Sequence, residues 1–171
     1  ADFYGSTLTV TPDVLIPRVE TEELVDWVLN ETTADHLSVL DIGTGSGAIA
    51  IALKKARPNW QVTASDLSEA ALDVAMENAR QNQADIQFVL SDVFARISSQ
   101  FDIIVSNPPY IAYDEKRYMD ASVIKSEPDM ALYAADEGLA VYRKIAVGAD
   151  AHLTAHGRLF LEIGFKQEKA V

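Results

Sequence analysis

Asn107-Pro108-Pro109-Tyr110 follows directly on the apolar run Phe101-Asp102-Ile103-Ile104-Val105-Ser106. The run predicts a buried strand, and the two prolines end it. Neither can donate a ladder hydrogen bond, and each holds its own φ at about −65°. The result is a rigid turn that presents one carboxamide side chain and unpaired backbone carbonyls at the strand's C-terminal end. In open parallel sheets, ligands bind at that edge. A stiff set of acceptors there suits holding a planar –NH2 group in one orientation, as alkylation of an amide or exocyclic amine requires. The alternative is an inert strand-ending turn, and the segment upstream argues against it.

That segment, Val39-Leu40-Asp41-Ile42-Gly43-Thr44-Gly45-Ser46-Gly47, reads as a strand running into a glycine-rich turn and then a helix. Gly43 and Gly45 let the backbone take otherwise strained angles and let a ligand approach closely. Gly47 opens the helix, whose free N–H groups favour an anionic group. Asp66 lies nineteen residues beyond Gly47, at the end of the next strand, placed to accept from ribose hydroxyls. Asp92 closes the third strand, where an adenine edge would lie, with Val93 and Phe94 as walls of the base pocket. The glycines alone fit S-adenosylmethionine and a dinucleotide equally, because Gly43-x-Gly45-x-x-Ala48 also satisfies the dinucleotide fingerprint. Asp41 favours S-adenosylmethionine, since a carboxylate there repels a pyrophosphate but can accept from a methionine ammonium. The turn at Asn107 shifts the balance further the same way.

Together, Asp41-Ile42-Gly43-Thr44-Gly45-Ser46-Gly47, Asp66, Asp92 and Asn107-Pro108-Pro109-Tyr110 resemble a class I S-adenosylmethionine-dependent amino-methyltransferase. Leu15-Ile16-Pro17-Arg18-Val19-Glu20-Thr21-Glu22 is similar to the "IPR-x-ETE" signature of release-factor glutamine methyltransferases, the HemK/PrmC family. Glu127-Pro128-Asp129-Met130-Ala131-Leu132 and Asp136-Glu137-Gly138-Leu139 are similar to that family's "EP-x-x-AL…D-x-G-L" stretch. Ala134-Ala135 stand where the family often has glycines, a mild departure. The resemblance covers nearly the whole chain, with its segments in family order. It implies a Rossmann-like methyltransferase sheet, S-adenosylmethionine as donor and S-adenosylhomocysteine as product. The implied acceptor is the side-chain amide of the glutamine in the Gly-Gly-Gln motif of peptide chain release factors. An N-terminal helical domain that recognises the substrate and a C-terminal strand pair are also implied, and neither is visible in this chain.

On this reading Asn107 Oδ1 and the Pro108 carbonyl accept the two amide N–H groups, with Pro109 stiffening the turn. Tyr110 closes the pocket and packs on substrate or sulfonium, whose charge favours an aromatic face. No dedicated general base is needed. By resemblance, Arg18, Glu20 and Thr21 fold over the donor site. The plainer reading makes Thr21 the N-cap of a helix over Thr21–Asn30, with Glu22 and Glu23 serving its dipole. Glu162 is either a buried acid facing the site or a structural hydrogen-bonding group. Phe3 and Tyr4 either reach the substrate or pack beneath the lid.

Competing classes leave different marks. Methylation of DNA or RNA amines also uses such turns, but it needs a grip on a polyanion. Here 14 Lys+Arg against 26 Asp+Glu give a formal charge of −12, and no basic cluster appears. A sister enzyme acting on a ribosomal protein lacks the run seen at Glu20–Glu22. A donor-binding module without catalysis and an NAD dehydrogenase complete the alternatives.

The elements that must position these residues follow from apolar period. Leu37–Ile42, Trp60–Ser65, Ile86–Leu90, Phe101–Ser106 and Arg158–Ile163 read as short buried strands. Thr21–Asn30, Ala48–Ala56, Ser68–Gln81 and Gly138–Ala155 read as helices, the second closed by Arg57-Pro58 and the third capped by Ser68. Alternation of this kind predicts an α/β, doubly wound, mostly parallel sheet. Residues 1–20 are expected to be a lead-in and lid over the donor site, and 21–171 a methyltransferase domain incomplete at its C-terminus. The chain reads as a fragment, opening without Met and stopping shortly after the fifth strand. No apolar run approaches membrane-span length and no basic-then-apolar leader appears at the start, so the cytosol is the expected compartment. There is no cysteine, and His36, His152 and His156 form no metal spacing, so a metal is not expected and the histidines read as solvated surface.

Overall fold

The computed structural model describes residues 1–108, 141 and 143–162. Two short strands, β1 (Asp2–Phe3) and β2 (Ser6–Thr7), pair antiparallel across Tyr4-Gly5. Both turn residues carry positive φ, 49° and 80°, the conformation a two-residue hairpin favours. There follow α1 (Val19–Glu31), β3 (Ser38–Ile42), α2 (Ala48–Ala56), β4 (Gln61–Asp66), α3 (Glu69–Gln81), β5 (Ile86–Leu90) and β6 (Phe101–Ser106). Helical residues at 143–152 then lead directly into β7 (Leu153–Leu161).

Strands β3 to β7 form one parallel sheet in the order β5-β4-β3-β6-β7. The chain therefore winds outward from β3 through α2 and α3, then crosses back to lay β6 on β3's other side. This is the expected doubly wound α/β sheet, and its switch point lies between β3 and β6. Both faces are covered, so the strands are apolar throughout and neighbouring residues serve opposite cores. Val39 packs with Val25, Val28, Trp60 and Phe160 on one face. Leu40 and Ile42 pack with Val93, Ile104, Ile145 and Ala149 on the other.

The last helix and strand depart from the expected bounds of Gly138–Ala155 and Arg158–Ile163. The helix ends at residue 152 and the strand begins at Leu153. Between the paired positions Phe101↔Leu153 and Ile103↔Arg158, β6 advances two residues while β7 advances five. The extra residues bulge, and Gly157 permits it: a Cβ there would meet Leu153 Cβ and the Phe101 carbonyl at 3.0 Å. Such a bulge carries no apolar period, so the helical pattern read through it.

The boundary expected at residue 20 falls inside α1, and Phe3 and Leu8 share the core of Val25 and Val28. No helix among the described residues is long and apolar enough to cross a membrane.

Candidate functional site

Ile42 pairs with Ser106 across the β3–β6 seam, and the Ser106 hydroxyl donates to the Ile42 carbonyl at 2.7 Å. Gly43 and Asn107, the next residue of each strand, thus leave the sheet side by side at its C-terminal edge. The two segments singled out in the sequence meet here.

After Ile42 the loop takes three left-handed glycine positions, Gly43 at φ 71°, Gly45 at 55° and Gly47 at 86°. Ideal Cβ atoms at Gly43 and Gly45 would have nothing within 4 Å, so the loop's outer face is open to a ligand. At Gly47 a Cβ would stand 3.2 Å from Ala75 Cβ, so α3 packs on the loop where it becomes α2. Backbone bonds hold the rest: the Gly43 and Thr44 N–H groups both donate to the Ser65 carbonyl at 2.9 Å. Asp66 ends β4 as expected. Its Oδ2 accepts from Gly45 N–H and its Oδ1 from Ser68 N–H, each at 2.9 Å. A carboxylate has about four lone-pair sites, which leaves acceptor capacity on both oxygens.

Asp41 lies beneath this loop, fully buried. The Thr44 hydroxyl donates to its Oδ2 at 2.8 Å, while Oδ1 has no hydrogen-bond partner. Burial pushes its pKa up from 3.8 to about 7; Asp66 adds to the rise and the Thr44 hydroxyl opposes it.

A connection that the sequence reading missed runs through Asn78 on α3, which is completely buried. Its Nδ2 donates to the carbonyls of Thr9 and Ser46, both at 2.9 Å, and its Oδ1 accepts from Thr9 N–H at 2.7 Å. One carboxamide thereby joins the N-terminal segment, the glycine loop and α3. A helical Asn with no local cue gives no warning of this.

Asn107 Nδ2 donates to Thr21 Oγ1 at 3.2 Å, and Asn107 Oδ1 is buried without a partner. Of the two readings of Thr21, the N-cap is excluded. Helix α1 begins two residues earlier, with Arg18 in extended conformation as the capping position and no side-chain cap bond. Thr21 is buried, whereas Arg18 and Glu20 pair with one another at 3.5 Å on the surface. Pro108 is buried. Pro109 and Tyr110 lie outside the described residues, as do Glu127–Leu132 and Asp136–Leu139. Glu162 follows β7, and its N–H donates to the Ser106 carbonyl at 3.1 Å. Of the N-terminal aromatics, Phe3 is core, and the Tyr4 hydroxyl donates to Asp26 on α1. That bond is the largest cause raising the Tyr4 pKa to about 12.

Asp92, Val93 and Phe94 line a cleft of about 420 Å³ together with Arg143, Lys144 and Val147. Asp92 stands two residues beyond the end of β5 rather than on it, and Lys144 Nζ lies 3.1 Å from its Oδ2. Val93 takes a positive φ of 53° and is buried. His152 corrects the expectation that the histidines are solvated. Its ring stacks on Phe94 with centroids 4.3 Å apart, and its nitrogens lie 2.8 Å from the Gly148 carbonyl and 2.9 Å from that of Ile97. Gly148 has to be small, since a Cβ there would fall 2.4 Å from Phe94. A larger groove of about 710 Å³ lies at the opposite edge of the sheet, along Ser38, Gln61 and Phe101, and no candidate residue lines it.

The model of the methyltransferase small domain matches residues 21–168. The chain belongs to that family. Among curated proteins, release factor glutamine methyltransferase of Lactococcus lactis subsp. lactis is 59% identical over 171 residues, covering 100% of this chain and 63% of the relative. The protein of the same name from Streptococcus pneumoniae is 54% identical, covering 100% of this chain and 61% of the relative. The chain thus spans under two thirds of the length of these family members. Among solved structures, a methyltransferase from Pyrococcus furiosus matches with a TM-score of 0.70 at 22% identity, covering 96% of this chain and 72% of that one, a likeness of fold.

Proposed function

We propose that the protein to which this chain belongs transfers a methyl group from S-adenosylmethionine to the side-chain amide of a glutamine in a peptide chain release factor, within a Gly-Gly-Gln motif. The observation that carries this reading is the placement of Asn107 Oδ1, a buried and unpartnered acceptor one strand away from an open glycine loop. The names of the close relatives support the choice of acceptor.

The chemistry that the donor supplies is an electrophilic methyl on a sulfonium. Asp41, Ile42, Gly43, Thr44, Gly45 and Gly47 would hold its amino-acid end, and Asp66 its ribose. Asp92 and Val93 would border its adenine. An amide nitrogen is a weak nucleophile because its lone pair is delocalised, so orientation and preorganised acceptors must supply the rate. Asn107 Oδ1 and the Pro108 carbonyl take the two N–H groups and aim the nitrogen, while Pro109 and Tyr110 complete the turn. With a donor bound, the nitrogen lone pair would form the N–C bond as the S–C bond breaks, releasing S-adenosylhomocysteine, and the surplus proton would pass to solvent.

Incubating release factor with the full-length protein and donor, followed by peptide mass spectrometry, should place one methyl on the Gly-Gly-Gln glutamine. Asn107→Ala should abolish transfer, a loss of roughly a thousandfold, with donor affinity nearly unchanged by calorimetry. Wild-type turnover by Asn107→Ala would refute the role given to that side chain.

A further inference from the structure

A carboxamide has two faces that look alike in shape and opposite in hydrogen bonding: one oxygen that only accepts and one NH2 that only donates. A substrate amide offers two N–H groups to whatever receives it. The receiving Asn must therefore present its oxygen, and a carboxamide turned by a half-rotation would set donor against donor. The rotation is favoured when the partner on the Asn's other side accepts from its NH2, as a hydroxyl oxygen can. In this structure that partner is Thr21 Oγ1, which accepts from Asn107 Nδ2 at 3.2 Å and leaves Oδ1 buried and unpartnered.

Thr21 is itself well anchored. It is 3% exposed, and its N–H donates to the Arg18 carbonyl at 3.0 Å. Its helix is tied to the N-terminal hairpin on the same stretch, because Glu22 Oε2 accepts from Tyr4 N–H at 2.5 Å and Asp26 accepts from the Tyr4 hydroxyl. The hydroxyl oxygen thus sits on a braced element rather than on a loose loop. Its neighbours Arg18 and Glu20 are exposed and pair with each other, while Thr21 hydrogen-bonds Asn107.

We propose that Thr21 is a positioning residue: its hydroxyl oxygen takes one N–H of the Asn107 carboxamide and so turns Oδ1 toward the substrate's –NH2. The proposal deepens the methyltransferase reading and rests on it for the identity of the acceptor. It assigns Thr21 no contact with donor or substrate. Its effect therefore belongs in turnover and not in donor binding.

Thr21→Val keeps the shape and the burial while removing the hydroxyl, and Thr21→Ser keeps the hydroxyl. In full-length protein, Thr21→Val should lower kcat about 10- to 100-fold, the scale of a misaligned reacting group. Donor Kd and melting temperature should stay at wild-type values, and Thr21→Ser should recover most of kcat. A substrate-independent readout accompanies this. The side-chain NH2 signals of Asn107, assigned by their loss in Asn107→Ala, should exchange slowly with solvent in wild type and Thr21→Ser, and rapidly in Thr21→Val. Wild-type kcat in Thr21→Val, or Thr21→Ser as impaired as Thr21→Val, would overturn the proposal. So would a fall in kcat matched by an equal loss of donor affinity or of folded protein in Thr21→Val, since that traces the effect to packing. If exchange follows the predicted pattern while wild-type protein leaves release factors unmodified, the positioning role stands and the substrate assignment falls.

Discussion

Asp41 is the residue where burial and chemistry pull hardest against each other. Its carboxyl is held from the ordinary 3.8 up to about 7, chiefly by burial. Between those two values the native protein keeps a proton that the unfolded chain has released. Stability should therefore be highest below the unfolded pKa and decline as pH rises through the native one. Asp41→Asn retains an oxygen for the Thr44 hydroxyl and cannot ionise, so chemical denaturation of this variant should show a flatter pH slope across that window. An unchanged slope would remove Asp41 as its source. Asp41, Asp66 and Asn107 were legible in sequence because each stands at the C-terminal end of a short apolar run, Asp41 just before the glycine turn and Asn107 just before the prolines. Their partners were not. Asn107 reaches Thr21 across 86 positions and Asn78 reaches Thr9 across 69, and no local pattern encodes a contact at that separation.

Among the elements, α2 was expected at Ala48–Ala56 and is found there, because Gly47 stops extended chain before it and Pro58 blocks its continuation. β5 and β6 likewise keep their expected bounds, being short apolar runs with breakers at both ends. Reading failed where elements lack a period: the β1–β2 hairpin has two residues per strand, and β7 begins with a bulge. The α2–α3 contact offers a test. Gly47→Ala places a methyl 3.2 Å from Ala75 Cβ at a left-handed φ of 86°, which should cost about 1–2 kcal/mol from the backbone alone. Urea unfolding would measure it. Asn78→Ala should cost more, roughly 2–4 kcal/mol, because it strands two carbonyls and an N–H that one buried side chain satisfies. Its donor affinity should fall too, since Ser46 belongs to the loop. A variant as stable as wild type would show that water replaces the carboxamide.

For the molecule as a whole, the N-terminal segment is part of the core and not an appendage. Phe3 and Leu8 are each 2% exposed and pack with α1 and α2. Phe3→Ala should destabilise by about 3–5 kcal/mol, readable by thermal or urea unfolding; a loss under 1 kcal/mol would make the hairpin dispensable. Nothing in residues 1–20 repeats with a strand or helix period, which leaves two readings of Phe3, reach to substrate or packing; the structure decides for packing.

The seam between β3 and β6 divides labour. On one side, Asp41 and Asp66 lie at the C-terminal ends of β3 and β4 and Asp92 two residues past β5; on the other, Asn107 follows β6, which pairs with β7. Ile42 and Ser106 rivet the halves at a single level, so on the proposed reading sheet spacing would set the separation of the donor and acceptor subsites. On that reading, substitutions after β6 would retune the acceptor while Asp41, Asp66 and the glycine turn keep the donor.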